Sequence, residues 1–313
     1  MRSRSGSPAP VTLLAALGLA DRLASGRGAT VAAVGAGGKT SLLWALALET
    51  AGRLGPEKVV FTTTTRIYEP SLYDLPPLVR GSEPESPENR PDSGQPSPVL
   101  RLVGGPAEAR AVLGEGAGRN EIVVLGTGLV DSGKGRRKVR GLPPEWVDEL
   151  RRSVPGLTLL VEADGAAGKP LKAPAAHEPV IPASADLVLA VAGIDAVGLR
   201  LDPDSVHRPE LIARLTGLAP GQRLGPREVA LVLRHAAGAP SGPGTGRPPG
   251  AEAATGLPRA AARPVYILNK VGSETELADA QAVVAELKTQ VPAPPPRVVL
   301  TCCRRWPVVV AVC

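Results

Sequence analysis

Short, unbroken apolar runs alternate along this chain with longer stretches of mixed polarity. The runs Thr30–Val34, Lys58–Thr63, Val99–Val103, Glu121–Gly126, Leu157–Glu162, Ala185–Ala192, Pro264–Asn269 and Arg297–Leu300 predict strands. They carry Val, Leu and Ile without polar alternation, so both faces of each strand are expected to be covered. Between them, Thr40–Arg53, Pro106–Leu113, Pro144–Ser153, Pro209–Thr216, Pro226–His235 and Glu274–Gln290 read as helices. Several have Pro in the first turn, where its missing N–H costs nothing. An amphipathic helix is predicted over Thr12–Leu23. The alternation implies an α/β protein with a doubly wound, mostly parallel sheet.

Two stretches break the pattern. Gly81–Pro98 is rich in Pro, Ser and Glu, and Ala236–Ala262 in Gly, Pro and Ala. Neither has enough apolar surface to offset the entropy of ordering, so both are expected to be surface insertions. The organisation expected is an N-terminal helix and tail over 1–27, a core domain over 28–300 with a small helical insertion at 196–235, and a tail over 301–313 whose VVVAVC end reads as either a final strand or a frayed tail.

The net charge of +6 is modest, and aromatic residues make up 2% of 313. With so little to stack on bases, nucleic acid is not the expected partner; a phosphate-bearing small molecule or an acidic protein suits the balance better. The basic stretch Lys134, Arg136, Arg137, Lys138 and Arg140 reads first as a solvated loop and second as a docking face for an acidic partner or a pterin phosphate. No segment has the ~20 apolar residues that span a bilayer. Cys302, Cys303 and Cys313 form no disulfide framework, which points to a reducing cytoplasm.

The sharpest chemical signal is Gly35-Ala36-Gly37-Gly38-Lys39-Thr40-Ser41, between a predicted strand and a predicted helix. Glycines leave backbone N–H groups open to phosphate oxygens, and the helix N-terminus adds partial positive charge. In such loops the lysine reaches the β- and γ-phosphates and the Thr hydroxyl ligates Mg²⁺, roles that fall to Lys39 and Thr40. The spacing is G-x-x-G-K-T, since Ala33 stands where the longer G-x-x-x-x-G-K-[ST] pattern has glycine. The fold is therefore read as P-loop NTPase type, with ATP or GTP and Mg²⁺ as cofactors.

A second apolar strand ends in Glu162-Ala163-Asp164-Gly165. A carboxylate at a strand's carboxyl end holds Mg²⁺ in nucleotide-hydrolysing folds, so Asp164 is the metal candidate and Glu162 a candidate base. The Thr62–Thr65 run, with Thr64 and Arg66 foremost, offers hydroxyls and a cation at another strand end. Asn269-Lys270-Val271-Gly272 resembles the N-K-x-D loop that reads guanine, with Gly272 in place of the Asp.

Taken together, GAGGKTS (Gly35–Ser41), VVFTTTTRIY (Val59–Tyr68), KVRGLPPEWVDEL (Lys138–Leu150), VEADGAAGKPLKAPAAHEPVIP (Val161–Pro182), DAVG (Asp195–Gly198), VHRPEL (Val206–Leu211) and LNKV (Leu268–Val271) resemble the YqeC family. The resemblance implies an accessory factor in maturing, or delivering cofactor to, selenium-dependent molybdenum hydroxylases and their molybdopterin-type cofactor machinery. It also draws in Lys169, Lys172, His177, Glu178, His207 and Arg208 as substrate or switch residues. Two other readings stay open. One is an ATP-dependent kinase or ligase-type enzyme activating a small selenium or pterin intermediate, and the other a carrier acting through its C-terminal cysteines.

Overall fold

The computed structural model describes residues 10–69, 96–115, 120–133, 135–238, 264–291, 295–304 and 308–313. Of the expected insertions, only residues 96–98 and 236–238 fall among these, and Lys134 lies outside them.

Nine strands form the main sheet. They are β1 (Thr30–Gly35), β2 (Val59–Thr63), β4 (Ser97–Leu102), β5 (Glu121–Gly126), β8 (Thr158–Glu162), β9 (Leu187–Gly193), β10 (Val265–Asn269), β11 (Val298–Thr301) and β12 (Val309–Val312). Their order is β12-β11-β10-β9-β1-β8-β2-β5-β4. Every neighbouring pair is parallel except β11 with β12. β1 lies in the interior of this order, with later strands laid down on both sides of it, so its carboxyl end is a topological switch point where ligands collect.

Alternate residues of β1 enter different cores, as a two-period strand requires. Val31 and Ala33 pack with Leu42 and Trp44 of α3 (Lys39–Leu54), and Ala32 and Val34 pack with α7 (Pro226–Ala236) and α8 (Glu274–Gln290). Trp44 stacks on Phe61 of β2, with ring centroids 4.9 Å apart. Helices α4 (Pro106–Glu115) and α5 (Pro144–Ser153) contribute Ala109, Val147 and Leu150 to a third cluster under β2 and β5. Helices therefore cover both faces, which is why the strands read as unbroken apolar runs.

Three expectations are revised. The N-terminal helix is two helices, α1 (Leu13–Ala16) and α2 (Ala20–Ala24), separated at Gly18, whose φ of +74° does not continue a helix. Leu13, Leu14 and Leu23 are buried in the same core as α3, and Glu49 of α3 accepts the Leu13 and Leu14 N–H bonds at 2.8 and 3.0 Å. Within 196–235, α7 is the crossover helix between β9 and β10, with Val229, Val232 and Leu233 in the core; α6 (Pro209–Thr216) and the loops around it are what is added. The C-terminal residues close the sheet as its antiparallel edge strand, β12.

A small antiparallel sheet was not expected. It comprises β3 (Arg66–Tyr68), β6 (Gly128–Asp131) and β7 (Arg137–Arg140), ordered β3-β7-β6. It follows the carboxyl ends of β2 and β5 within a few residues, and Ile67 and Val139 bury its inner face.

Candidate functional site

β1 ends at Gly35 and α3 begins at Lys39, so the chain reverses through three residues. That turn passes close against β9: a Cβ on Gly37 would lie 1.9 Å from the Gly193 nitrogen, at a φ of +81° that side chains avoid. The Gly35, Ala36 and Gly37 N–H groups donate to Asp164 Oδ2, the Val191 carbonyl and the Lys169 carbonyl at 3.0, 2.8 and 3.1 Å. The next four, Gly38 through Ser41, have no acceptor among the described residues, and no side chain caps α3. Consecutive free donors at a helix N-terminus form an anion site by their own geometry. Gly38, Thr40 and Ser41 are half-buried.

Because β8 pairs with β1, with Ala33 opposite Glu162, the acids at the end of β8 come to the loop. Lys39 Nζ donates to the Gly35 carbonyl at 2.7 Å and lies 3.1 Å from Asp164 Oδ1 and 3.7 Å from Glu162 Oε1. The Thr40 hydroxyl donates to Glu162 Oε2 at 2.7 Å. Burial works against the Lys39 charge, but Asp164 and Glu162 outweigh it and raise its pKa, so the ammonium is retained. Burial also lifts the Glu162 carboxyl, held back in part by Lys39 and Thr40.

Asp164 is held from its other side as well. Lys172, fully buried, donates to Asp164 Oδ2 at 2.9 Å and to the Gly165 carbonyl at 2.6 Å, and its ammonium lies 2.7 Å from Glu178 Oε2. Arg208 pairs with the same Glu178 oxygen from the start of α6, its backbone in the left-handed region at φ +62°. A continuous row of alternating charges, Lys39–Asp164–Lys172–Glu178–Arg208, thus runs from the loop to the added helix. Burial would raise the Glu178 carboxyl, but hydrogen bonds from Arg208 and Lys172 prevail and bring it down to about 2.

The other predicted residues fall into four groups. Asn269 is buried; its Nδ2 donates to the Gly37 carbonyl at 2.9 Å, and its Oδ1 accepts from the Thr301 hydroxyl at 3.1 Å and the Cys303 N–H at 3.4 Å. It clamps the loop to β11, while Lys270 Nζ donates to Asp195 Oδ2 at 2.6 Å. The Thr62, Thr63 and Thr64 hydroxyls donate to the carbonyls of Leu125, Glu162 and Val180 at 2.9, 2.6 and 2.6 Å, fastening β2 to its neighbours. Lys169 donates to the Asp204 carbonyl, and the His207 N–H donates to the Leu171 carbonyl at 3.0 Å. Burial, with Arg208 and Lys172 nearby, lowers the His207 pKa. His177 and Arg66 are exposed.

Sequence reasoning missed the partners: Thr301 for Asn269, Asp195 for Lys270, and Lys172 as the second cation on Asp164. Cys302 and Cys303 are buried, and burial pushes the Cys303 thiol up to about 12, so that thiol stays protonated and poorly nucleophilic near neutral pH.

This is an α/β protein in which a glycine turn, a lysine and two carboxylates meet at the carboxyl end of a parallel sheet. The profile of the YqeC protein family matches residues 31–210, a span that holds the loop, both acids, Lys172, Glu178 and Arg208. The chain is 33% identical over 216 residues to "Uncharacterized protein YqeC" of Escherichia coli (strain K12), covering 68% of this chain and 70% of that one. The chain belongs to the YqeC family.

Proposed function

We propose that the chain binds a nucleoside triphosphate with Mg²⁺ on the Gly35–Ser41 loop and acts as a nucleotide-gated accessory factor. The observation that carries this is the convergence of four free N–H groups with Lys39, Thr40, Glu162 and Asp164 at one helix N-terminus. Free amides and an ammonium suit phosphate oxygens. Thr40 and the two carboxylates form a hard-oxygen donor set, and buried Asp164 Oδ1 makes no hydrogen bond, facing Lys39 only as an ion pair. That set suits Mg²⁺, which is commonly held by one or two carboxylates together with substrate phosphates. Mg²⁺, once bound, would neutralise charge on the phosphates. Lys39 would then turn from Asp164 to a phosphate oxygen, and Glu162 would orient water or take its proton.

The family resemblance is what supports an accessory role toward selenium-dependent molybdenum hydroxylases, and the row of charges from the loop to the added helix supports a gated one. A ligand that draws Lys39 away from Asp164 changes the charge seen by Lys172, Glu178 and Arg208 in turn. Phosphate release from ATP and from GTP, measured with and without Mg²⁺, tests the reading. Slow, Mg²⁺-dependent turnover of one nucleotide, abolished in Asp164→Asn and Lys39→Ala, is the expected result. Turnover that survives both substitutions would refute it.

A further inference from the structure

The small sheet carries a second cationic region, unlike the first. In its register Arg66 stands opposite Arg140 and Tyr68 opposite Lys138, so these four side chains share one face. Ile67 and Val139 occupy the other face and are buried. Arg66 and Arg140 are exposed, and Tyr68 is 39% exposed. The Arg136 guanidinium and the Lys138 ammonium each lie 4.9 Å from the Tyr68 ring centroid.

Like charges set directly across a strand pair repel. Among the described residues, no carboxylate pairs with Arg66, Lys138 or Arg140. The neighbouring acids are engaged: Glu69 takes both arms of the Arg137 guanidinium at 2.9 Å, and Asp131 accepts the Gly133 N–H at 2.8 Å. The face therefore bears a repulsion that a ligand with several negative charges would relieve.

We infer that this face docks an acidic polypeptide segment of a partner protein. An open sheet face does not enclose a small phosphorylated ligand, so affinity must come from several charges at once. Carboxylates on an extended chain can meet the Arg66 and Arg140 guanidiniums, paired across the strands, and the Lys138 ammonium two residues along β7. A nucleic acid fits less well, because the Tyr68 ring, the face's aromatic among the described residues, already has the Arg136 and Lys138 cations against it. The face also begins three residues beyond the β2 end at Thr63, where the Thr64 N–H and Thr63 hydroxyl both donate to the Glu162 carbonyl. Docking there would act on the strand end that carries Glu162. The inference deepens the accessory-factor reading and rests on it for the partner's role, though not for the binding itself.

The test is fluorescence anisotropy of a labelled oligoglutamate peptide with the full chain. Three proteins are compared: wild type, Lys138→Ser/Arg140→Ser, and a control of equal net charge, Arg214→Ser/Lys288→Ser. Wild type should bind, and the face variant should lose about tenfold or more in affinity, as expected for two charge-assisted contacts. The control should bind as wild type does. Equal losses in both variants would reduce the effect to net charge and overturn the proposal. So would an absence of binding by wild type, or tighter binding of an oligothymidylate through the same two residues. Matching melting temperatures establish that the variants are folded. A wild type that bound the peptide but no nucleotide would sink the accessory reading and leave the docking face standing.

Discussion

Two cationic regions of this molecule follow opposite rules. Around the loop, Lys39, Lys172 and Arg208 alternate with Asp164 and Glu178, and every cation has a carboxylate within about bonding distance. On the small sheet, Arg66 and Arg140 face one another with no acid paired to either among the described residues. The difference follows from solvent. A buried ammonium needs a counter-charge because desolvation costs several kcal/mol per ion, whereas an exposed guanidinium is screened by water and salt. The buried set is thus matched internally and can admit an anion only by exchanging partners. The exposed set is unmatched and can take one directly.

Breaking the buried row should have the largest effect. Lys172→Met leaves Asp164 and Glu178 without their shared cation, and a loss of roughly 3–5 kcal/mol of stability is expected by chemical denaturation. Adding Asp164→Asn should restore part of it, because one buried charge then needs no partner. Simple additivity of the two losses would contradict the matched-charge account.

Acid should attack the same row. The Glu178 carboxyl titrates at about 2 in the folded chain against 4.5 for the free side chain. Its contribution is whole above pH 4.5 and disappears as pH falls toward 2, on the order of 3 kcal/mol by linkage. Stability measured across that window should fall more steeply for wild type than for Glu178→Gln.

Asn269→Ala should matter less for stability and more for the loop. It removes the Gly37 clamp and leaves the Thr301 hydroxyl without its partner, a cost of about 1–3 kcal/mol. Nucleotide affinity should drop with it, readable by titration. The exposed face gives the smallest change: Arg66→Ser relieves a repulsion and should raise stability by about 0.2–0.5 kcal/mol. A clear loss there would mean that the arginine is structurally engaged.

Much of this was legible in the chain itself. The strands of the sheet core and the helices over them announce themselves as apolar runs, because a sheet covered on both faces needs apolar residues at every position. Gly35–Ser41 was readable because local glycine spacing dictates local backbone. The meeting of Lys39 with Asp164 was not, since it depends on β8 inserting beside β1, a choice of strand order made by long-range packing. The clamp from Asn269 to Gly37 spans 232 residues and leaves no local trace. The β3-β7-β6 sheet was missed for the opposite reason. Its strands are three or four residues long and mostly polar, with only Ile67 and Val139 buried, too few to set up a period.

The central claim is that the buried row yields its first cation to a bound phosphate. Calorimetric titration of ATP and of GTP, each with Mg²⁺, into wild type and Lys39→Ala tests it most directly. The account predicts saturable binding of at least one nucleotide by wild type, weakened about a hundredfold or more in the variant, the worth of a charge-assisted phosphate contact. Equal affinity in the two proteins, or no binding by wild type, would contradict it.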